Sequence, residues 1–311
     1  MNREQKIIRA SWVAILGNSL LALLKITLGI ASGSYAVVAD GIDSSTDILT
    51  SLITLITARI ISRPPNIKYP YGYEKADTVA TKALSFIIFF AGAQLAISTV
   101  EKIISGETAQ LPARLAVYVT LFSIVGKLLL SLYLFAAGRK ASSSMLMANA
   151  KNMRNDILIS LSVLTGLVVT FVFRLPILDR LVALAVSAFI ITEAFRIFLR
   201  SNTELMDGIP ETELYRELFD AVLTVEGASN PHRMRARKIG TYLMINMDIE
   251  VDPLLTVKES HDIAKAVENS IKLRIPNVYD VMVHVEPRGN LEHDEKFGVK
   301  ESDIQNINRI R

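Results

Sequence analysis

Cysteine is absent from all 311 residues. That excludes iron–sulfur clusters, soft Cu(I)–thiolate sites and any disulfide-stapled secreted fold. Histidine is scarce: the four are His232, His261, His284 and His293. The first 200 residues are also poor in charge, with 20 Lys+Arg and 11 Asp+Glu, against 14 and 20 in the 111 residues that follow. No Walker A motif is present, so ATP is not the expected energy source. The first apolar run is too long for a signal-peptide core and has no small-x-small cleavage site. No internal repeat is found. Half of the residues are hydrophobic and mean hydropathy is +0.35, which excludes disorder and a collagen-like chain. One chain thus spans two solvent environments.

Six apolar runs account for the first environment: Ser11–Ile30, Ala36–Ile61, Thr78–Ile104, Leu111–Ala137, Ser142–Phe173 and Ile177–Leu199. Each reaches the ~20 residues that a helix needs to cross ~30 Å of hydrocarbon. Basic residues cluster at the N-terminus (Arg3, Lys6, Arg9), in the second link (Arg59, Arg63, Lys68, Lys75), in the fourth (Arg139, Lys140) and after the last run (Arg196, Arg200). The first link has no charge, and the third and fifth offset theirs with acids (Lys102 and Arg114 with Glu101 and Glu107; Arg174 and Arg180 with Asp179). The positive-inside rule therefore predicts both termini in the cytoplasm. The basic excess of this part follows from that rule and calls for a lipid bilayer as partner, not a nucleic acid. The cell's inner or plasma membrane is the expected location.

Residues 203–287 read as a small soluble α+β domain. Pro210 marks a helix start, and Glu211–Val225 carries Leu214, Leu218, Phe219 and Val222 at helical spacing. His232–Arg237 and Tyr242–Val251 read as strands, the second alternating apolar and polar residues. Thr256–Leu273 is a helix opened by a capping box, Thr256 with Glu259. Tyr279–Val285 is a third strand, giving the order α-β-β-α-β. The predicted divisions are 1–202 for a six-helix transmembrane bundle, 203–290 for a cytoplasmic α+β domain, and 291–311 for a charged, loosely held tail.

Ionisable groups at bilayer depth are costly and point to function. Arg59, Lys82 and Arg196 are near cytoplasmic ends and can snorkel. Lys25 and Lys127 lie deeper and are expected to pair with carboxylates. The second run holds Asp40, Asp43 and Asp47. Asp43 and Asp47 are i and i+4 and project from one face, with Asp40 on the same side. Adjacent carboxylates in low dielectric need protons or a cation between them. The fifth run supplies Asn152 and Asp156, also i and i+4. At 1.5 Å per residue, Asp43 and Asp47 lie about 12 and 18 Å from the outer side, and Asn152 and Asp156 about 18 and 24 Å from the cytoplasmic side. The two pairs overlap near the midplane, where four oxygen-bearing side chains can close one cation site.

These residues resemble the cation diffusion facilitators. Asn18 with Leu21-Ala22-Leu23-Leu24-Lys25 is similar to the family's first helix, and Ala39-Asp40-Gly41-Ile42-Asp43 through Asp47 to its second. Tyr69-Pro70-Tyr71-Gly72-Tyr73-Glu74-Lys75-Ala76-Asp77 resembles its HPYGHGKAE signature. Leu205-Met206-Asp207 with Pro210, and His284-Val285-Glu286-Pro287, resemble the later junctions. The likeness covers about residues 10–287. It implies a homodimeric exporter of divalent metal working by exchange with protons, with a ferredoxin-like cytoplasmic domain that binds metal and regulates. It implies metal ligands at Asp248, His261, His284 and Glu286, and at His232. Orientation puts Lys75 before the third run and Asp207 after the sixth, so the two are expected to form an ion pair at the cytoplasmic membrane surface, the level where the resemblance suggests that protomers meet.

The departures carry information. Asn152 stands where zinc members have histidine, so the set Asp43, Asp47, Asn152 and Asp156 is all oxygen. That shifts the expected substrate from Zn(II) toward Mn(II), with Co, Ni, Fe and Zn also open. Tyr69, Tyr73 and Asn66 replace the residues of an accessory loop site, which is expected to be absent. No organic cofactor is expected. Two other readings are a membrane metal sensor or scaffold that does not transport, hinted at by Asn152, and a metal-dependent membrane phosphotransferase. The second has little support, because the upstream aspartate and the Ala-Arg pair of that pattern are missing.

Overall fold

The computed structural model describes residues 3–105, 111–141, 144–209, 212–240, 242–289, 297–300 and 303. Six long helices come first: α1 (Arg3–Ser32), α2 (Tyr35–Ile61), α3 (Lys75–Ile104), α4 (Leu115–Ala141), α5 (Ser144–Phe173) and α6 (Ile177–Leu205). Each contains a span of 25 to 30 residues that is long and apolar enough to cross a membrane. The ends differ from the apolar runs because polar residues can extend a helix: α1 starts at Arg3, and α6 continues to Leu205.

The chain divides into two units, residues 1–62 with 80–199, and residues 63–79 with 200–311. In the first, α1 packs against α2 and α4, and α4 against α5. Lipid offers no hydrophobic drive between helices, so close backbone approach has to supply the packing. Gly41 and Gly126 permit it. A Cβ at Gly41 would lie 2.7 Å from Ile26 Cγ1 and 3.0 Å from Ile26 N, and one at Gly126 would lie 2.9 Å from Leu21 Cδ2. One core joins Ala36, Val37 and Ala39 of α2 with Leu84, Ile88 and Leu95 of α3, Val163 and Leu167 of α5, and Ala183, Ile190 and Ala194 of α6. Outward positions such as Leu16, Phe90, Leu129 and Val172 are exposed apolar groups.

Asp179 and Arg180, read from sequence as link charges, are both buried. Asp179 caps α2 from another helix. It accepts from the Ser34 hydroxyl at 2.6 Å and from the Tyr35 N–H at 2.7 Å. Arg180 donates to the Lys102 carbonyl at 2.5 Å.

The second unit holds α7 (Glu213–Leu223), β1 (Ser229–Ile239), β2 (Tyr242–Val251), α8 (Val257–Arg274) and β3 (Val278–Pro287), in the order read from sequence. The sheet runs β1-β2-β3, antiparallel then parallel, with α8 as the crossover. Leu218, Phe219 and Val222 of α7 and Val267 and Ile271 of α8 cover Ile245, Met247 and Ile249. The capping box closes as read: Thr256 Oγ1 accepts from the Glu259 N–H, and Glu259 accepts from the Thr256 N–H. Pro210, Glu211 and His293 lie outside the described residues. Part of the expected loose tail is held: Val299 forms an antiparallel bridge with Met234, because its backbone completes an open strand edge.

Candidate metal centre

The Ser34 cap fixes where α2 begins, and the Gly41 contact fixes α2 against α1. Asp40 therefore meets Lys25, with the ammonium 2.7 Å from Asp40 Oδ2. Both side chains are fully buried. Lys25 also donates to Ser44 Oγ at 3.2 Å and to Ser160 Oγ at 2.9 Å. Ser160 in turn donates to Asp40 Oδ1 at 2.8 Å. This knot ties α1, α2 and α5 together next to Asp43 and one turn from Asp156. Asp40 is thus committed to a lysine.

One turn on, α2 and α5 bring carboxylates together. Asp47 of α2 and Asp156 of α5 both face the same ammonium, that of Lys127, and Asp43 lies one turn before Asp47 on α2. Lys127 of α4 reaches in from the side, 3.2 Å from Asp156 Oδ2 and 3.9 Å from Asp47 Oδ2. The sequence had Lys25 and Lys127 each pairing with a carboxylate, and both do so. Asn152, placed with these groups by depth, is an exposed residue and makes no hydrogen bond or ion pair among the described residues. A cleft of about 530 Å³ between α4 and α5, lined by Ser131, Phe135, Met147, Ala150, Lys151 and Arg154, lies one turn along from Lys127 and Asp156. Carboxylates from two helices offer the oxygen donors that suit a hard dication, although Asp43, Asp47 and Asp156 do not all bring their ligand atoms within 4.8 Å of one another here.

A second cluster sits on the sheet. His232, Asp248 and Glu286 offer ligand atoms within 4.8 Å of one another. Register puts His232 beside Asp248, and Asp248 beside His284, on neighbouring strands. His232 Nε2 is 3.4 Å from Glu286 Oε2, and His284 Nε2 is 3.6 Å from Glu286 Oε1. His232 Nδ1 lies 2.8 Å from the Asn230 carbonyl. Donation there leaves Nε2 bare toward the carboxylate, the tautomer a metal ligand needs. His261, grouped with these residues by resemblance, is exposed on α8 and makes no hydrogen bond or ion pair among the described residues.

Sequence reasoning missed what balances this cluster. Arg233 donates to Asp248 Oδ2 at 2.7 Å. Asn230 donates to Glu250 Oε1 at 2.6 Å, with the Gly289 N–H on Oε2 at 3.1 Å. The Asn230 amide chiefly holds the Glu250 carboxyl below the usual carboxylate range. Asn230 and Arg233 have φ of 43° and 48°, at two irregularities in the β1–β2 register. The Asn230-Pro231 dipeptide was the available signal, since such pairs interrupt regular pairing.

In the loop before α3, Asn66 donates to the Tyr73 hydroxyl at 2.7 Å, and the Tyr69 and Tyr73 rings lie 4.7 Å apart. The three substituted positions satisfy one another. Lys75 Nζ lies 2.6 Å from Asp207 Oδ1, with both side chains about two-fifths exposed.

Residues 11–206 match the cation efflux transmembrane domain, and residues 210–288 match the cation efflux protein cytoplasmic domain. The chain is 36% identical to the uncharacterized transporter YdbO of Bacillus subtilis, over 86% of this chain and 91% of that one. It is 27% identical to the manganese efflux system protein MneP of the same organism, over 92% and 97%. Among solved structures, the metal-bound C-terminal domain of the CzcD transporter from Thermotoga maritima is 37% identical, covering 27% of this chain and all of that one, with a TM-score of 0.26.

Proposed function

The chain belongs to the cation efflux family of integral membrane metal transporters, and from that premise we propose that it exports divalent transition-metal cations from the cytoplasm in exchange for protons, with Mn(II) preferred. The supporting observation is that Asp47 on α2 and Asp156 on α5 converge on the one Lys127 ammonium, at 3.9 and 3.2 Å, with Asp43 one turn away on α2. Asn152 completes an all-oxygen set when the site closes. Hard oxygen donors suit Mn(II) better than zinc, and MneP, a similar chain, is by name a manganese efflux protein. Protons and metal compete for the same carboxylates, so loading one expels the other. The working form is a homodimer with both termini cytoplasmic, in which Lys75–Asp207 braces the membrane surface where protomers meet. The domains divide at 202 and 290. His232, Asp248, His284 and Glu286, with His261 supplied on closure, bind the regulatory metal.

Mn(II) uptake into inverted vesicles tests this. Asp43→Ala, Asp47→Ala and Asp156→Ala each abolish uptake while the fold is retained. Near-normal uptake by any two of them means the site lies elsewhere. A sensor that does not transport would show no uptake by the wild type.

A further inference from the structure

The two buried lysines of the membrane unit are held very differently. The Lys25 ammonium has a carboxylate and two hydroxyls as close partners. The Lys127 ammonium is equally buried, with the side chain 1% exposed, yet among the described residues it makes no hydrogen bond. Its partners are the Asp156 and Asp47 carboxylates, at 3.2 and 3.9 Å. Burying an ammonium is costly unless it is both paired and hydrogen-bonded. Lys127 is paired only, and only with groups read above as metal ligands. It reaches them from α4, a different helix from the two that carry the carboxylates. Lys25, with two hydrogen bonds and a 2.7 Å ion pair, shows that the same bundle can hold an ammonium tightly.

We propose that the Lys127 ammonium is a tethered cation that competes with the transported metal for Asp47 and Asp156. This rests on the transport-site reading given above. Without metal, the lysine partly neutralises Asp43, Asp47 and Asp156. A dication brings twice its charge and takes the carboxylates, and the ammonium swings aside on its four-carbon stem. Its charge stays nearby and repels the ion, so the metal is held less tightly than three carboxylates alone would hold it. A carrier needs this, since a site that binds too well does not release. Because Lys127 is held by ion pairs and by no hydrogen bond among the described residues, it can leave and return with little loss.

The test uses the full-length chain, with Mn(II) binding measured by titration calorimetry and Mn(II) uptake measured in inverted vesicles. Lys127→Met should bind Mn(II) at least about tenfold more tightly, because a unit charge a few ångströms from the ion is removed. KM and the maximal rate should both fall as release slows. Lys127→Arg should keep affinity near the wild-type value. Should Lys127→Met fail to reach the membrane, Lys127→Gln removes the same charge and gives the same readout. Unchanged or weaker binding by a folded charge-removal variant overturns the proposal, since a purely structural lysine has no reason to oppose the metal. Asp47→Ala separates the two claims. If it loses Mn(II) binding while Lys127→Met does not gain any, the tethered cation is wrong and the transport site stands. If Asp47→Ala binds as the wild type does, the site itself is misplaced.

Discussion

At the scale of single residues, the membrane unit's chemistry depends on which buried charges are matched. Asp40 and Lys25 are matched to each other and to two serine hydroxyls, so removing one partner leaves the other uncompensated. Lys25→Met should destabilise by about 3 kcal/mol, and Lys25→Met with Asp40→Asn should recover most of that loss. Thermal melting of the four proteins gives the coupling, and strictly additive losses would mean the pair is incidental. Asn152→His should move transport toward zinc, because imidazole suits that ion better than an amide oxygen. An unchanged Zn:Mn uptake ratio would remove Asn152 from the ligand set. The carboxylates were legible in the sequence because i,i+4 spacing fixes a shared helical face. The exposure of Asn152 was not, because depth along a helix says nothing about rotation or access. Nor was the role of Arg233, whose aim depends on a left-handed backbone that one residue's identity does not reveal.

Among the elements, the helices were the most readable. Six long apolar runs have one solution in lipid, and α8 announced its start through Thr256 and Glu259. Breaking that cap by Thr256→Ala should cost about 1 kcal/mol in the cytoplasmic unit. Further along α8, Glu268 accepts from Lys265 at 2.6 Å and also pairs with Lys272, chiefly the former holding its carboxyl below the usual glutamate range. A depressed folded value means stability that is complete above the ordinary glutamate pKa of ~4.3 and is lost as pH falls through the lower folded value. Glu268→Gln should therefore flatten part of the stability loss below about pH 4.5 and change little at pH 7. Acid titrations of both proteins followed by circular dichroism check this; parallel curves would show that the pairs are only surface decoration. The strand ends were less readable. β1 runs from Ser229 to Ile239 rather than His232 to Arg237, because its irregular stretch is held by pairing to β2 and not by alternation in its own sequence. The Asp179 cap on α2 was equally hidden: it joins residues 145 apart, and only the packed bundle brings them together.

For the whole molecule, charge is sorted by environment. Residues 1–200 carry a basic excess, while residues 201–311 have 14 Lys+Arg against 20 Asp+Glu. The buried carboxylates of Asp248, Glu250 and Glu286 concentrate that negative charge on one face of the sheet, balanced in part by Arg233. In a two-fold dimer the acidic domains repel each other, and a dication at His232, Asp248 and Glu286 relieves the repulsion. A ligand shifts such an equilibrium only by binding one state better, so compaction requires the ligands to draw closer in the bound form. His261, proposed above as a further ligand, stands outside this group, and its recruitment is the movement the proposal expects. Small-angle scattering of residues 203–311 should show a smaller radius of gyration with saturating metal at pH 7.5. The change should fade below about pH 6, where protons compete for imidazole. His232→Ala should abolish it, because that ring offers a ligand atom within 4.8 Å of both carboxylates. Identical scattering curves with and without metal would reject metal-driven closure and leave the histidines as ordinary surface residues.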